Sequence, residues 1–306
     1  MQKSTVFITG ANGFVGRNLR PYLAKIFDIG CISRKGKIGG LTYTQFLEEP
    51  ICYDALIHLA GKAHDLKNTA NDSEYYEVNF ELTKRLYDQF LQSNAKTFVY
   101  ISSVKAAADR VVGVLTEAVV PNPVTAYGQS KLMSENYILA HLPKDKKVYI
   151  LRPCMIHGPG NKGNLNLLFG IVSKGFPWPL GAFANQRSFL SIENLCFVIK
   201  ELVENKTIPT GIYNVADDEA LSTNEVVQLI GASQNKSARI FTISKGIVAA
   251  VAKTGDFLRL PLNTERLQKL TESYVVSNAK IVSALGKPLP ISSEEGLRRT
   301  FESFTL

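Results

Sequence analysis

No stretch of this sequence approaches the ~20 consecutive apolar residues that a membrane-spanning helix requires, so no membrane partner is expected. The N-terminal Met-Gln-Lys-Ser-Thr-Val-Phe-Ile-Thr-Gly runs almost directly into a strand-like segment and lacks the architecture of a signal peptide. Cys31, Cys52, Cys154 and Cys196 stand far apart without a C-x-x-C, and His58, His64, His141 and His157 make no H-x-x-x-H. Neither a metal site nor a disulfide framework is expected from such spacing. Together these absences point to a reducing, cytoplasmic compartment. Internal repeats and low-complexity segments are also missing. The net charge is +8, but basic residues are dispersed, with only short clusters such as Lys144-Asp-Lys-Lys147. Dispersed charge argues against a nucleic-acid partner and is compatible with a small anionic ligand.

What is present is an ordinary globular mixture, 45% apolar and 20% charged over 306 residues. That length supports a large core, in one big α/β domain or in two lobes.

Val6-Phe-Ile-Thr9 is short, apolar and β-branched, as a buried parallel strand should be. Gly10-Ala-Asn12-Gly13-Phe14-Val15-Gly16 follows, and then a helical pattern through Leu19, Leu23 and Ile26. Glycines at 10, 13 and 16 permit a tight turn, close approach of backbone to a pyrophosphate, and close packing of helix on strand. N–H groups at the helix start then face the phosphates. Strand, glycine turn and helix in that order predict nucleotide binding by this segment. The second strand is expected over Ile29-Gly-Cys-Ile32, with Asp28 before it and Ser33-Arg34 after it. NAD enzymes place an acid near this point. A hydroxyl and a guanidinium suit a 2′-phosphate better, which favours NADP(H) over NAD(H).

Asp54 to Gly61 reads as a third buried strand whose end, Leu59-Ala60-Gly61, would lie beside the cofactor, because ligands gather at the carboxyl ends of parallel strands. His58, inside an apolar run, is expected to be structural. Lys62-Ala-His64-Asp65 would reach the crevice and the substrate. Glu74 to Asn94 predicts a long helix carrying Asn79, and Thr97–Ile101 predicts a strand ending in Ser102-Ser103, whose hydroxyls would point into the crevice. Residues 104–124, with Pro121 and Pro123, read as a loop over the site. Thr125 or a neighbour opens the next helix, which places Tyr127 and Lys131 one turn apart on one face. An ammonium there would favour the phenolate and bring the phenol toward proton exchange at neutral pH.

In the second half, Val148–Leu151 predicts a strand, and the turn-rich His157-Gly-Pro-Gly160 marks a boundary. A helix starts near Gly163, a rigid loop spans Phe176–Gly181, a helix runs from Ser191 to Glu204, and Gly211–Val215 returns as a strand. Ser222-Thr-Asn-Glu225 and Ser292-Ser-Glu-Glu295 have the pattern of capping boxes. Residues 1–160 with 188–215 are expected to form the dinucleotide-binding part, and 161–187 with 216–306 a substrate lobe.

Thr9 to Gly16, His58-Leu-Ala60, Ser102-Ser103, Tyr127-x-x-x-Lys131 and Leu151-Arg-Pro153, in this order, resemble the extended short-chain dehydrogenases/reductases, the NAD-dependent epimerase/dehydratase group that acts on nucleotide sugars. The resemblance covers the whole chain. It implies an α/β fold: a doubly wound parallel Rossmann sheet with a smaller C-terminal α/β substrate lobe. It implies that Tyr127 is the acid/base, that Lys131 lowers its pKa and binds the nicotinamide ribose, and that Ser103 hydrogen-bonds the reacting oxygen. Gly10, Gly13 and Gly16 would cradle pyrophosphate, and Asn79, Ser102, Pro153 and Ile156 would lie against the cofactor. Lys62, Lys105, Asn164 and Arg187 would contact the substrate, with Arg187 gripping its diphosphate.

Asn185-Gln-Arg-Ser188, Pro261-Leu-Asn263 and Arg266–Leu270 are similar to a narrower subgroup that reduces or epimerises C4 of UDP-linked N-acetyl amino sugars in bacterial surface-polysaccharide pathways. Dehydratases of the family carry Asp-Glu after the catalytic hydroxyl. Here Val104-Lys105 stands there, so 4,6-dehydration is not expected. A 4-ketoreductase on a UDP-sugar leads, a 4-epimerase with tightly bound NAD stands close, and a non-catalytic nucleotide sensor is the alternative of another class. The resemblance also implies a homodimer through the helices near 75–94 and 125–141.

Overall fold

The structure, a computed structural model, describes residues 3–36, 40–62, 71–161, 163–258 and 263–304. His64 and Asp65 of the crevice loop, and Pro261, lie outside them. The strands are β1 (Thr5–Thr9), β2 (Asp28–Ser33), β3 (Leu41–Thr42), β4 (Ala55–His58), β5 (Thr97–Ile101), β6 (Val114–Leu115), β7 (Lys147–Pro153), β8 (Met155–His157), β9 (Arg187–Ser191), β10 (Gly211–Val215), β11 (Ala220–Leu221) and β12 (Val275–Val276). The α-helices are α1 (Phe14–Leu23), α2 (Tyr43–Glu48), α3 (Asp72–Tyr75), α4 (Leu82–Gln92), α5 (Ala126–Ala140), α6 (Asn164–Val172), α7 (Ile192–Glu204), α8 (Thr223–Ser233), α9 (Lys245–Leu258), α10 (Thr264–Thr271), α11 (Ala279–Leu285) and α12 (Ser293–Glu302).

Seven parallel strands make the central sheet in the order β10-β7-β5-β4-β1-β2-β3. The chain winds outward from β1 in one direction, then resumes at β4 on the other side. The switch point, where a crevice opens at the carboxyl ends, therefore lies between β1 and β4. Both faces are covered. One packs Leu19 and Leu23 of α1, Leu195 and Ile199 of α7 and Ile281 of α11 against Val6, Ile8, Ile57 and Val99. The other packs Phe46, Leu86, Phe90 and Ile138 against Phe7, Leu56 and Phe98. A separate core joins Leu165, Trp178, Phe189, Val227, Val248, Leu297 and Phe301 in the smaller part of the molecule. There the sheet β11-β9-β8 links the two parts.

Several expectations shift. The second strand begins at Asp28, whose N–H bonds the Ser4 carbonyl, so this residue enters the sheet rather than preceding it. The third strand stops at His58, before the small residues. The helix expected over Glu74–Asn94 starts at Asp72 and has three parts, with a π-helical stretch, Tyr76–Glu81, joining α3 to α4. Asn79 sits in that stretch, and π-turns of this kind concentrate at functional sites. Residues 104–124 contain a 3-10 turn, Val104–Ala106, and β6, which pairs with β12. Ser222 and Glu225 form a full capping box, whereas at Ser292 only half forms. The Glu295 carboxylate is taken by Arg298 and Arg299 instead.

Candidate active site at the switch point

The glycine turn is shaped by its neighbours. Gly10 has φ +67°, and a Cβ there would stand 2.7 Å from the Ala60 nitrogen; one on Gly16 would stand 2.5 Å from the Gly10 carbonyl. Any side chain would push β1 away from β4 or α1 away from the turn. Gly13 opens α1 with no side-chain cap. The first-turn N–H groups of α1 lack intrahelical acceptors, and Asn12 beside them is exposed. Phe14 and Val15 are half-buried against the core, and the Phe14 ring reaches within 3.6 Å of the Cβ position of Gly158. Ser33 ends β2, and Arg34 follows it, exposed and close enough to Tyr43 to act on it electrostatically.

His58 joins this framework as a structural residue, as expected. Its ring nitrogens meet the Thr9 and Thr83 hydroxyls at 2.6 and 2.9 Å, and the Ala60 N–H donates to Thr9 Oγ1 at 3.1 Å. Burial, with the Lys131 charge behind it, pulls its pKa down to about 3, so the ring is neutral. Asn79 is fully buried. Its amide holds the backbone of Lys62 on both sides, at 2.7 and 3.3 Å, and donates to Ser130 Oγ on α5 at 3.0 Å. It fixes the crevice wall at Gly61, where a Cβ would stand 2.9 Å from Asn79 Oδ1.

Thr125 caps α5 by accepting from the Gly128 N–H. The Tyr127 phenol engages the Ser103 hydroxyl, and its ring meets Tyr75 edge-on at 6.1 Å. Lys131 is 4% exposed, donates from Nζ to the Ile101 carbonyl at 2.9 Å, and lies 4.8 Å above the Tyr100 ring. Burial lowers its pKa to about 8 while Glu135 opposes the fall. Burial raises the Tyr127 value, with the Ser103 hydrogen bond opposing it, and the Lys131 ammonium donates to the Ile101 carbonyl.

Ser102, the first residue past β5, is buried and its hydroxyl donates to Glu135 Oε1 at 2.5 Å. Glu135 is paired with fully buried Arg152, whose Nε lies 3.0 and 3.1 Å from the two carboxylate oxygens. This Ser102–Glu135–Arg152 cluster under the site was not singled out from sequence. The available signal was Glu135 standing four residues after Lys131.

Of the substrate candidates, Lys62 pairs with Glu74 at the crevice edge and faces the Tyr75 ring. Lys105 donates to the Asp109 carbonyl at 2.6 Å and lies 4.4 Å above the Tyr274 ring. Arg187, at the start of β9, donates to the Lys269 carbonyl at 2.8 Å. Burial lowers both pKa values, and Glu272 opposes the fall in each. Lys105 and Arg187 are near enough to repel. Asn164 is exposed at the first position of α6. Pro153 is buried at the end of β7, and Ile156 is half-buried in β8.

The sequence profile of the NAD dependent epimerase/dehydratase family matches residues 6–216. The chain belongs to this family. It is therefore an NAD(P)-dependent enzyme of the group that holds sugar-nucleotide epimerases and reductases. UDP-glucose 4-epimerase of Vibrio cholerae is 28% identical, over 99% of this chain and 96% of that protein. The N-acetyl-alpha-D-glucosaminyl-diphospho-ditrans,octacis-undecaprenol 4-epimerase of Escherichia coli O157:H7 is 24% identical, over 97% and 94%. The solved structure of RMD from Pseudomonas aeruginosa complexed with NADPH superposes with a TM-score of 0.72 at 21% identity, covering 98% of this chain and 99% of that one. This likeness shows the fold, the doubly wound parallel sheet read from the sequence. Among the described residues no helix is long and apolar enough to cross a membrane.

Proposed function

We propose that this enzyme oxidises and reduces C4 of a sugar carried on a diphosphate, passing through a 4-keto sugar, and that it is a 4-epimerase. The observation that carries the reading is the meeting of the Ser103 hydroxyl and the Tyr127 phenol at the end of β5, across the crevice from the glycine turn. The likeness to two 4-epimerases over nearly the whole chain supports epimerisation.

The turn fits a dinucleotide, since glycine at 10 and 16 lets β1, β4 and α1 close on one another and leaves the turn's backbone bare of side chains. In this reading Gly10, Gly13, Gly16 and the first-turn N–H groups of α1 hold the phosphates, and Lys131 holds the nicotinamide ribose. A nicotinamide held there would supply the hydride acceptor and donor for C4. Ser103 and Tyr127 bracket the C4 oxygen. In the oxidising half-reaction the Tyr127 phenolate takes the proton from the C4 hydroxyl, and in the reducing half-reaction the resulting phenol returns it to the keto oxygen. Lys105 and Arg187, both cationic and partly dehydrated, attract the diphosphate, and Lys62 stands at the mouth. Buried Val104 occupies the place where elimination would need an acid. Residues 1–160 with 188–215 hold the cofactor in this reading, and 161–187 with 216–306 hold the sugar diphosphate. A homodimer through α4 and α5 is part of the proposal, supported by exposed Met133 and Leu139 on α5.

A ketoreductase using NADPH is the second reading, favoured by Ser33 and Arg34 at the end of β2 in place of an acid. Nucleotide released on denaturing the purified protein separates the two. Retained NAD supports the epimerase, and net NADPH consumption on a 4-keto sugar supports the reductase. Tyr127→Phe should lower kcat by about 10²–10⁴ with cofactor affinity unchanged. Full activity of that variant would refute the acid/base assignment.

A further inference from the structure

Three consecutive residues at the end of β5 each hold one residue of α5. The Ile101 carbonyl accepts from Lys131 Nζ at 2.9 Å, the Ser102 hydroxyl donates to Glu135 Oε1 at 2.5 Å, and Ser103 engages the Tyr127 phenol. Residues 127, 131 and 135 stand four apart, so they form one stripe along the helix. Two rungs of this ladder carry the groups placed at the crevice, Tyr127 with Ser103 and Lys131. The third ends on Glu135, a carboxylate with no exposed surface, backed by fully buried Arg152 of β7.

A buried ion pair is a weak source of stability, because pairing does little more than offset the loss of water from two charges. Apolar side chains of the same volume would serve the core as well. The position of this pair is what distinguishes it. Ser102 and Arg152 engage both oxygens of the carboxylate. Its charge acts on the Lys131 ammonium one turn away, opposing the fall in pKa that burial causes. The other titratable groups around Lys131 are Tyr127 on its own helix, His58 on β4 and Tyr100 on β5. Burial keeps His58 neutral and raises both phenols. The negative charge beside Lys131 is therefore that of Glu135.

We propose that Glu135 is a positioning residue for Lys131: tied to the end of β5 by Ser102 and balanced by Arg152, it sets the field in which the ammonium stands. The clamp lies between Ile101 and Ser103 in sequence, so it also fixes the strand end from which those two residues meet α5. Its value to catalysis rests on the C4 reading, in which Lys131 holds the nicotinamide ribose and its charge favours the phenolate. The clamp itself does not depend on that reading.

The test is urea unfolding of the full chain from pH 6.5 to 10.5, each variant paired with the same chain carrying Lys131→Met. The difference within each pair isolates the titration of Lys131. In the parent chain the folded pKa of about 8 lies below the ordinary 10.5, so the difference should climb above about pH 8. Glu135→Gln removes the supporting charge, and the climb should begin about one pH unit lower. Arg152→Met frees the carboxylate from its counter-charge, and the climb should begin about one unit higher. Glu135→Gln/Arg152→Met strands no charge, so its folding is least at risk, and its climb should begin about half a unit below that of the parent. A purely structural pair would behave otherwise: its loss would admit water and move every variant upward, toward the value of a solvated lysine. Upward shifts in all three variants, or an onset in the double variant that coincides with the parent's, would overturn the proposal. Neither sugar nor cofactor enters the measurement, so a wrong C4 reading would leave the result untouched.

Discussion

Replacing Lys131 by Met should change how stability depends on pH, by an amount the structure sets. Lys131 is buried, and its pKa falls from 10.5 to about 8 on folding. Below the folded value the ammonium is present in both states, and its burial costs stability. Between about 8 and 10.5 the unfolded chain binds more protons than the folded one, so stability rises with pH. At about 1.4 kcal/mol per pKa unit, the full cost is about 3 kcal/mol. Some 2 kcal/mol of it should be relieved between pH 8 and pH 10. The Met variant has no such group, and its unfolding free energy should lack that rise. The groups facing Lys131 are Glu135 from its own helix and His58 from β4, which is neutral throughout this window. Urea unfolding of both proteins at pH 7, 8, 9 and 10 gives the comparison, with the difference between the two curves as the measured quantity. Parallel curves, within about 0.5 kcal/mol, would show that Lys131 is better solvated than its burial indicates, and the reasoning would fail.

Gly10→Ala should destabilise the fold by about 1–2 kcal/mol for the left-handed φ alone. It should do more through the contact with Ala60, and dinucleotide affinity by titration calorimetry should fall with the melting temperature. Glu135→Gln or Arg152→Met, each stranding a buried partner, should cost about 3–5 kcal/mol. The double variant should lose far less than the sum, and strict additivity in a double-mutant cycle would refute the coupling. Arg187→Lys should raise KM for a sugar diphosphate more than it lowers kcat, because a bidentate fork is lost; an unchanged KM would remove Arg187 from the substrate site.

Much of the framework was legible because buried parallel strands are continuous apolar runs closed by small or polar residues. The structure keeps Thr97–Ile101 and Gly211–Val215 at the bounds expected. Thr125 and Ser222 were readable as caps because the hydroxyl and the backbone N–H that donates to it are three residues apart. The inert role of His58 followed from its apolar strand, although its threonine partners did not. What escaped detection depends on distant chain. The Ser102 hydroxyl is taken by Glu135 of α5, which Arg152 holds from β7. Arg187 meets a carbonyl of α10, 82 residues later. Strands β6 and β12 are two residues each, too short for any periodicity, and exist only through one another. The orientation of Lys131 also depends on a backbone carbonyl, which no side-chain pattern reveals.

The π-helical stretch Tyr76–Glu81 amounts to one residue more than an α-helix would hold in the same length. Removing a single residue there would let the helix close into regular α turns and rotate its two ends against each other by about 100°. Thr83 and Phe90 are anchored in the core beyond the stretch, so the displaced end would be the one bearing Tyr75. Asn79 would then swing off the Lys62 backbone, and the crevice wall would lose its brace while the hydrophobic packing behind it stayed intact. A one-residue deletion would thus produce a folded, silent protein, and insertion of an alanine at the same turn should restore it.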